Sequence, residues 1–227
     1  MKKLMMLVVA VFLAVPTFAQ EPPSLSIYKT ENGVFSVDMV SHLGWGFHFV
    51  KSDDFTPKGS GEFFLNVLNF KIYPVESFGL EAGLDCKWNY FGSRNDVFAF
   101  DANHLVQAMN FDFVGSNLEK TRSDFSIFAL SVPVVAKFKA GSFMIGGGAE
   151  ANFNLSCKTY YRFESNETRT THDAWKGKVN QFTYDFVGMI GYQNVYLLAK
   201  FYPKSSRLLP EGSVTFNYWT LGFGIAL

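Results

Sequence analysis

The stretch Trp219-Thr-Leu-Gly-Phe-Gly-Ile-Ala-Leu227 decides the fold. Trp219, Leu221, Phe223, Ile225 and Leu227 fall on one face, and Thr220, Gly222, Gly224 and Ala226 on the other. A period of two belongs to a strand whose two faces meet different surroundings. The second face is small rather than charged, which suits a narrow interior better than open water.

Upstream, further segments repeat the pattern. Val34–Val50 sets Phe35, Val37, Met39, Leu43, Trp45, Phe47 and Phe49 against Ser36, Asp38, His42, Gly44, Gly46 and His48. Phe78–Phe91 opposes Leu80, Leu84, Cys86 and Trp88 to Glu81, Asp85 and Lys87. Phe125–Lys139 places Ser131, Pro133 and Lys137 on its polar face, and Ser142–Tyr160 places Glu150, Asn152 and Asn154 there. Val179–Tyr192 contributes Asp185 and Val195–Pro203 contributes Lys200. Glu62–Pro74 is ambiguous, because Asn66 and Lys71 fall on opposite faces; Asn69, Lys71 and Tyr73 are placed inward.

The connections sort themselves. Short turns fall around Val75-Glu76, Ala140-Gly141 and Gln193-Asn194. Long loops are Lys51–Gly61, Gly92–Asp124, Tyr161–Lys178 and Lys204–Gly212. Tight turns on one side and long loops on the other predict an all-β fold: a closed antiparallel up-and-down transmembrane barrel of about eight strands. A count of about ten is the alternative, with Ser24–Thr30 and the segment around Met109, Phe111 and Phe113 as extra strands. Aromatic residues gather at both strand ends, as in the two girdles of a membrane barrel. At the long-loop ends these include Trp45, Phe49, Phe64, Phe125, Phe201, Tyr202, Tyr218 and Trp219.

The composition agrees. The 227 residues are 48% hydrophobic and 18% charged, with 26 phenylalanines and a formal net charge of zero, which excludes a disordered chain. No basic excess exists to serve a nucleic-acid partner. Lys2 and Lys3, the apolar run Leu4–Val15, and Thr17 and Ala19 before Gln20 have the layout of a secretory signal peptide. The expected organisation is a signal peptide over 1–19, a short periplasmic segment over 20–33 and the barrel over 34–227.

At this point the residues resemble a known family. Leu130-Ser-Val-Pro-Val-Val-Ala-Lys-Phe138, the return through Gly146-Gly-Gly148, Phe182–Gly191 and the closing Leu221–Leu227 resemble strands of the bacterial outer-membrane β-barrel domain family that includes PorT-like proteins. The resemblance implies a barrel in the outer membrane of a Gram-negative bacterium and no shared catalytic chemistry.

Candidate chemistry is sparse. Gly146-Gly-Gly148 lacks the Gly-Lys-Ser/Thr of a phosphate loop. His42 and His48 share a face about 20 Å apart, too far for one metal. Cys86 and Cys157 are both assigned outward, on strands separated by a third, so no disulfide is expected. The expectation is therefore no enzyme, no metal and no cofactor. One coherent feature remains: the inward charges Asp38, Lys71, Glu81, Asp85, Lys87, Lys137, Glu150, Asp185 and Lys200. A barrel this narrow is filled by its side chains, and buried charges must pair, so these form an expected lumen salt-bridge network. Lys137 is expected to meet Asp85 or Glu150. The loop Gly92–Asp124 is too apolar for an idle surface, and Phe98, Phe100, Met109, Phe111 and Phe113 are its candidate contact surface.

The expected function is a non-enzymatic membrane anchor whose outer loops contact a partner or ligand. A narrow solute channel and an envelope assembly or secretion accessory are the alternatives. Expected partners are outer-membrane lipid, the barrel assembly machinery during biogenesis, and an extracellular or envelope protein.

Overall fold

The computed structural model describes residues 26–31, 34–94, 96–110, 120–164 and 169–227, and every regular element among them is a strand. The first five are β1 (Ser26–Lys29), β2 (Phe35–Met39), β3 (His42–Lys51), β4 (Gly61–Val75) and β5 (Phe78–Ser93). Next come β6 (Asp96–Phe100), β7 (Val106–Asn110), β8 (Lys120–Ala140) and β9 (Phe143–Glu164). The last are β10 (Arg169–Gly177), β11 (Phe182–Tyr192), β12 (Val195–Phe201) and β13 (Asn217–Ala226).

Eight of these strands close a ring in the order β4-β3-β13-β12-β11-β9-β8-β5, with β5 returning to β4. Every pairing in the ring is antiparallel. The decisive C-terminal stretch is the closing strand: Asn217 to Ala226 run against Lys51 to His42. Closure leaves the ring no free edge, which an open sheet would have to protect by other means. The eight-strand reading therefore holds, and Val106–Asn110 is the second leg of a separate hairpin with β6.

Strand β13 stops at Ala226 and leaves the lower part of the first strand uncovered. There β1 takes its place, pairing Ser26 with Asp38 and Lys29 with Ser36. The segment expected to be a simple periplasmic lead-in is thus partly a strand at the short-turn rim. The expected signal peptide over 1–19 lies outside the described residues.

Three irregularities set the faces of the wall. Val40, with a φ of 48°, separates β2 from β3 and turns Ser41 inward. The β4–β5 register slips between Asn66 and Leu68, so Val67 is an extra residue. That bulge resolves the ambiguity of this strand: Glu62, Phe64 and Asn66 point inward before it, and Asn69, Lys71 and Tyr73 after it. The third slip, at Phe128/Ala129 against β9, leaves Leu155 as the extra residue. Beyond it the inward parity of β9 reverses, so Cys157 is fully buried rather than outward. Both cysteines are free.

The outer wall is apolar. Trp45, Phe47, Phe49, Leu80, Val134, Ile145, Phe186, Ile190, Leu197 and Leu221 are all large, hydrophobic and exposed. Inside, small residues make room for large ones. A methyl group on Gly44 would meet the Phe64 ring, and one on Gly224 would meet the Tyr196 ring. The narrow interior expected from Gly222 and Gly224 is therefore real.

At the long-loop end the arrangement inverts. Phe91, Phe98, Val106, Phe125, Ile127 and Cys157 are fully buried and pack with Phe55, Tyr202, Leu208, Leu209, Val214 and Tyr218 in one core. Four of the expected girdle residues, Phe64, Phe125, Tyr202 and Tyr218, are buried inside rather than facing outward. The backbone joins the loops above them. Lys58 donates to the Gly92 carbonyl at 2.8 Å, Val214 to Val106 at 2.9 Å, Lys178 to His104 at 2.8 Å and Asn180 to Leu208 at 3.0 Å. The Phe98 amide donates to Ser123 Oγ at 2.8 Å. Burying a phenylalanine of this kind stabilises by about 1.5–3 kcal/mol, so the cap is a small domain core laid over the barrel mouth.

Candidate functional site

The lumen carries the polar residues of the wall in tiers. Its middle tier comprises Lys87 on β5, Lys200 on β12, Glu62 on β4, Glu150 on β9 and Asp185 on β11, each buried. They meet because each occupies an inward parity position at the same height in a different strand. Lys87 Nζ lies 2.7 Å from Glu150, 3.3 Å from Asp185 and 4.0 Å from Glu62. Lys200 Nζ lies 2.8 Å from Glu62 and 3.0 Å from Glu150. Asn152 accepts from Lys87 at 2.8 Å and from Ser131 at 2.6 Å, and donates to Asp185 at 2.8 Å. Tyr202, descending from the cap, donates to Glu62 at 3.0 Å. The cap and the charge cluster are thus directly joined.

Below this tier, Lys137 pairs with Glu81 at 2.6 Å. Glu81 also accepts from Asn69 at 3.1 Å and from the Tyr73 hydroxyl. The expected partners of Lys137 were Asp85 and Glu150, and the structure assigns it neither. Lys137 stands opposite Gly79 in register, one inward position from Glu81, whereas Asp85 sits further up the strand. Asp85 instead accepts from Asn66 at 2.6 Å. Asn66 accepts from Ser41 at 2.7 Å, and Ser41 is 2.9 Å from His42 Nδ1. With the Ser41 hydroxyl committed to Asn66, the His42 Nδ1–H is the donor of that last bond. At the short-turn rim Lys71 pairs with Asp38 at 2.6 Å.

The nine charges of the expected network sit on inward positions but fall into separate groups. Asp38 pairs with Lys71 and Glu81 with Lys137, while Lys87, Glu150, Asp185 and Lys200 gather with Glu62. Asp85 forms no ion pair among the described residues and is held by Asn66. Glu62 was missed because the Val67 bulge breaks the parity that links it to Lys71. The signal available was Phe64 and Asn66 at period two from Glu62. At the top of the lumen His48 lies 2.7 Å from Thr220 and stacks on Phe91, with ring centroids 5.0 Å apart. His42 and His48 therefore belong to different tiers.

The expected loop surface divides. Phe98 is fully buried in the cap and is no contact surface, because β6 turns its side chain down onto Phe55 and Phe125. Phe100 is half-buried against the same core, and Met109 is exposed. Phe111 and Phe113 lie outside the described residues.

Chemically, the middle tier is a lock. Each lysine bridges carboxylates from different strands, so the tier staples β4, β5, β9, β11 and β12 across the barrel. Among the described residues, no group of three His, Cys, Asp or Glu side chains is disposed to hold a metal ion. The free space beside Asp85, Glu81 and Lys137 amounts to about 50 Å³, room for a few water molecules.

No protein-family model and no curated protein matches this chain. Among solved structures it is similar to Ail, the attachment invasion locus protein of Yersinia pestis, in complex with the heparin analogue sucrose octasulfate. That match has 12% identity over 85% of this chain and 97% of the other, with a TM-score of 0.38. It is also similar to the outer membrane protease OmpT from Escherichia coli, with 12% identity over 86% of this chain and 80% of the other and a TM-score of 0.40. The barrel assignment rests on the closed strand pairing of this chain itself.

Proposed function

We propose that this chain is a non-enzymatic outer-membrane anchor: a closed barrel that holds a rigid cap outside the cell for contact with an envelope or extracellular partner. The observation that carries the reading is the inversion of the wall. Large apolar side chains such as Phe201, 60% exposed, cover the outside, while lysines and carboxylates are sealed within. In water such a surface would be costly, at roughly 25 cal/mol for each Å² left exposed. Against lipid it costs nothing. Strands of 15 and 16 residues in β4 and β5 exceed the 9–11 that a tilted strand needs to cross a bilayer. The positive segment and apolar run at the N-terminus support export, with the barrel assembly machinery and outer-membrane lipid as the partners of insertion. The likeness to PorT-like proteins supports the same location.

The filled lumen and the interlocked loops favour an anchor over a solute channel. The test has two parts. The protein is expected in the outer-membrane fraction, shifting in gel mobility on boiling, and silent in planar bilayers. Recovery of the folded protein in the soluble fraction, or a steady ion current through the purified protein, would overturn the proposal.

A further inference from the structure

One sector of the outer wall joins a row of rings to a crevice lined by four cations. Phe49 stands opposite Trp219, and Trp219 opposite Phe201, so three outward rings form a row across β3, β13 and β12. Phe49 and Trp219 stack, with centroids 4.2 Å apart and planes 11° from parallel. Immediately beyond this row, Lys51 ends β3 and Lys204 follows β12. Two residues of strand rise only about 7 Å, so Lys51 stands just above Phe49, and Lys204 follows Phe201 by three residues in the turn that leaves β12. Lys58 and Arg207 come from the loops on either side. All four line one crevice of about 1310 Å³, together with only two carboxylates, Asp53 and Glu211. Each cation is exposed, and among the described residues none of the four forms an ion pair. Across the barrel, Trp88 and Phe128 also pair, at 5.0 Å. Beyond that pair stand Tyr90, Ser126 and the carboxylate Asp124, with one cation, Lys158, opposite Ser126.

We propose that this crevice holds the phosphorylated headgroup of a membrane lipid whose chains lie along Phe49, Trp219 and Phe201. The inference rests on the membrane reading above. Rings at the interface with cations one step further out match a lipid in both halves, apolar chain and anionic head. A soluble polyanion would use the cations and leave the ring row without a role.

The test uses two full-length chains, one keeping Trp219 and the other Trp88 as the single tryptophan, with phenylalanine at the remaining positions. Each is refolded into phosphatidylcholine vesicles, and quenching by brominated-chain phosphatidic acid is compared with quenching by brominated-chain phosphatidylcholine. At Trp219 the acidic lipid is expected to bind about fivefold more tightly or better, the effect of one or more cations near a surface. At Trp88, where Lys158 stands near the carboxylate Asp124, the preference should be clearly smaller. Replacing Lys51, Lys204 and Arg207 with glutamine should remove the preference while quenching by phosphatidylcholine persists. Equal affinities at Trp219, or the same preference at Trp88, would overturn the proposal. So would loss of the preference on adding inorganic phosphate at no more than the concentration of the acidic lipid, with potassium chloride of equal ionic strength leaving it intact, which would assign the crevice to a soluble anion. Absence of quenching at both tryptophans by either lipid would instead contradict the membrane reading itself.

Discussion

Leu221 on the wall and Phe98 in the cap are both large and apolar, yet Leu221 is 44% exposed and Phe98 is fully buried. The charges run the other way: Lys87 and Glu150 are sealed inside the wall, while Lys58 and Arg207 stand at the surface of the cap. On the proposed membrane reading, the two regions obey one rule in different solvents. The cap hides its phenylalanines from water, as any small domain does. On that proposed reading, the wall turns its phenylalanines outward toward apolar surroundings and collects its polar groups where they satisfy one another. The ring from β3 to β13 is held by backbone pairing and internal salt bridges, and the cap by hydrophobic contact. These should fail under different perturbations.

The largest effect is expected in the wall. Replacing Lys87 with Met leaves Glu150 and Asp185 without their shared cation in a buried tier, which should destabilise the barrel by about 3–5 kcal/mol. Urea unfolding in vesicles, followed by tryptophan fluorescence, measures this. Replacing Asp185 with Leu in the same chain should recover much of the loss, because fewer carboxylates then go unbalanced. A Lys87→Met chain as stable as the parent would show that the tier is wet.

A comparable but local effect is expected in the cap. Phe98→Ala removes a ring packed on Phe55 and Phe125, a change that costs about 3–5 kcal/mol in a well-packed core. The loops should open to protease while heat-modifiable mobility of the barrel is retained. Loss of both together would mean that cap and wall unfold as one unit, through the Tyr202–Glu62 hydrogen bond.

The smallest effect is expected at Lys137. It pairs with Glu81 near the open end of the lumen, and Glu81 keeps hydrogen bonds from Asn69 and Tyr73. Lys137→Met should therefore cost only about 1–3 kcal/mol, less than Lys87→Met by the same unfolding measurement. Equal losses would mean that both tiers are equally dry.

Much of this contrast was legible in the residues. Alternation alone places Asp85 and Lys87, or Glu150 and Asn152, on one face, and the sorting of short and long connections closes the ring. The partners were less legible. Which lysine meets which carboxylate depends on how far neighbouring strands are staggered, and that stagger is set by the irregularities at Val40, Val67 and Leu155. No residue type announces a bulge in a strand rich in valine and leucine, so Glu62 escaped notice and Cys157 was placed on the wrong side. The cap shows the same limit. Its apolar loop stood out as unusual, but only the long-range contacts of Phe98 with Phe55 and Phe125 reveal that the loop is a core rather than a surface.

The most direct test compares two residues of equal exposure and opposite surroundings. Leu221 on β13 is 44% exposed and Met109 on β7 is 46% exposed. A nitroxide attached at each in turn, on protein reconstituted in vesicles, is read by its collisions with oxygen, which concentrates in lipid, and with a water-soluble nickel complex. At Leu221 oxygen collisions should dominate, and at Met109 nickel collisions should dominate. Equal nickel accessibility at the two positions would contradict the account, because the wall would then be facing water.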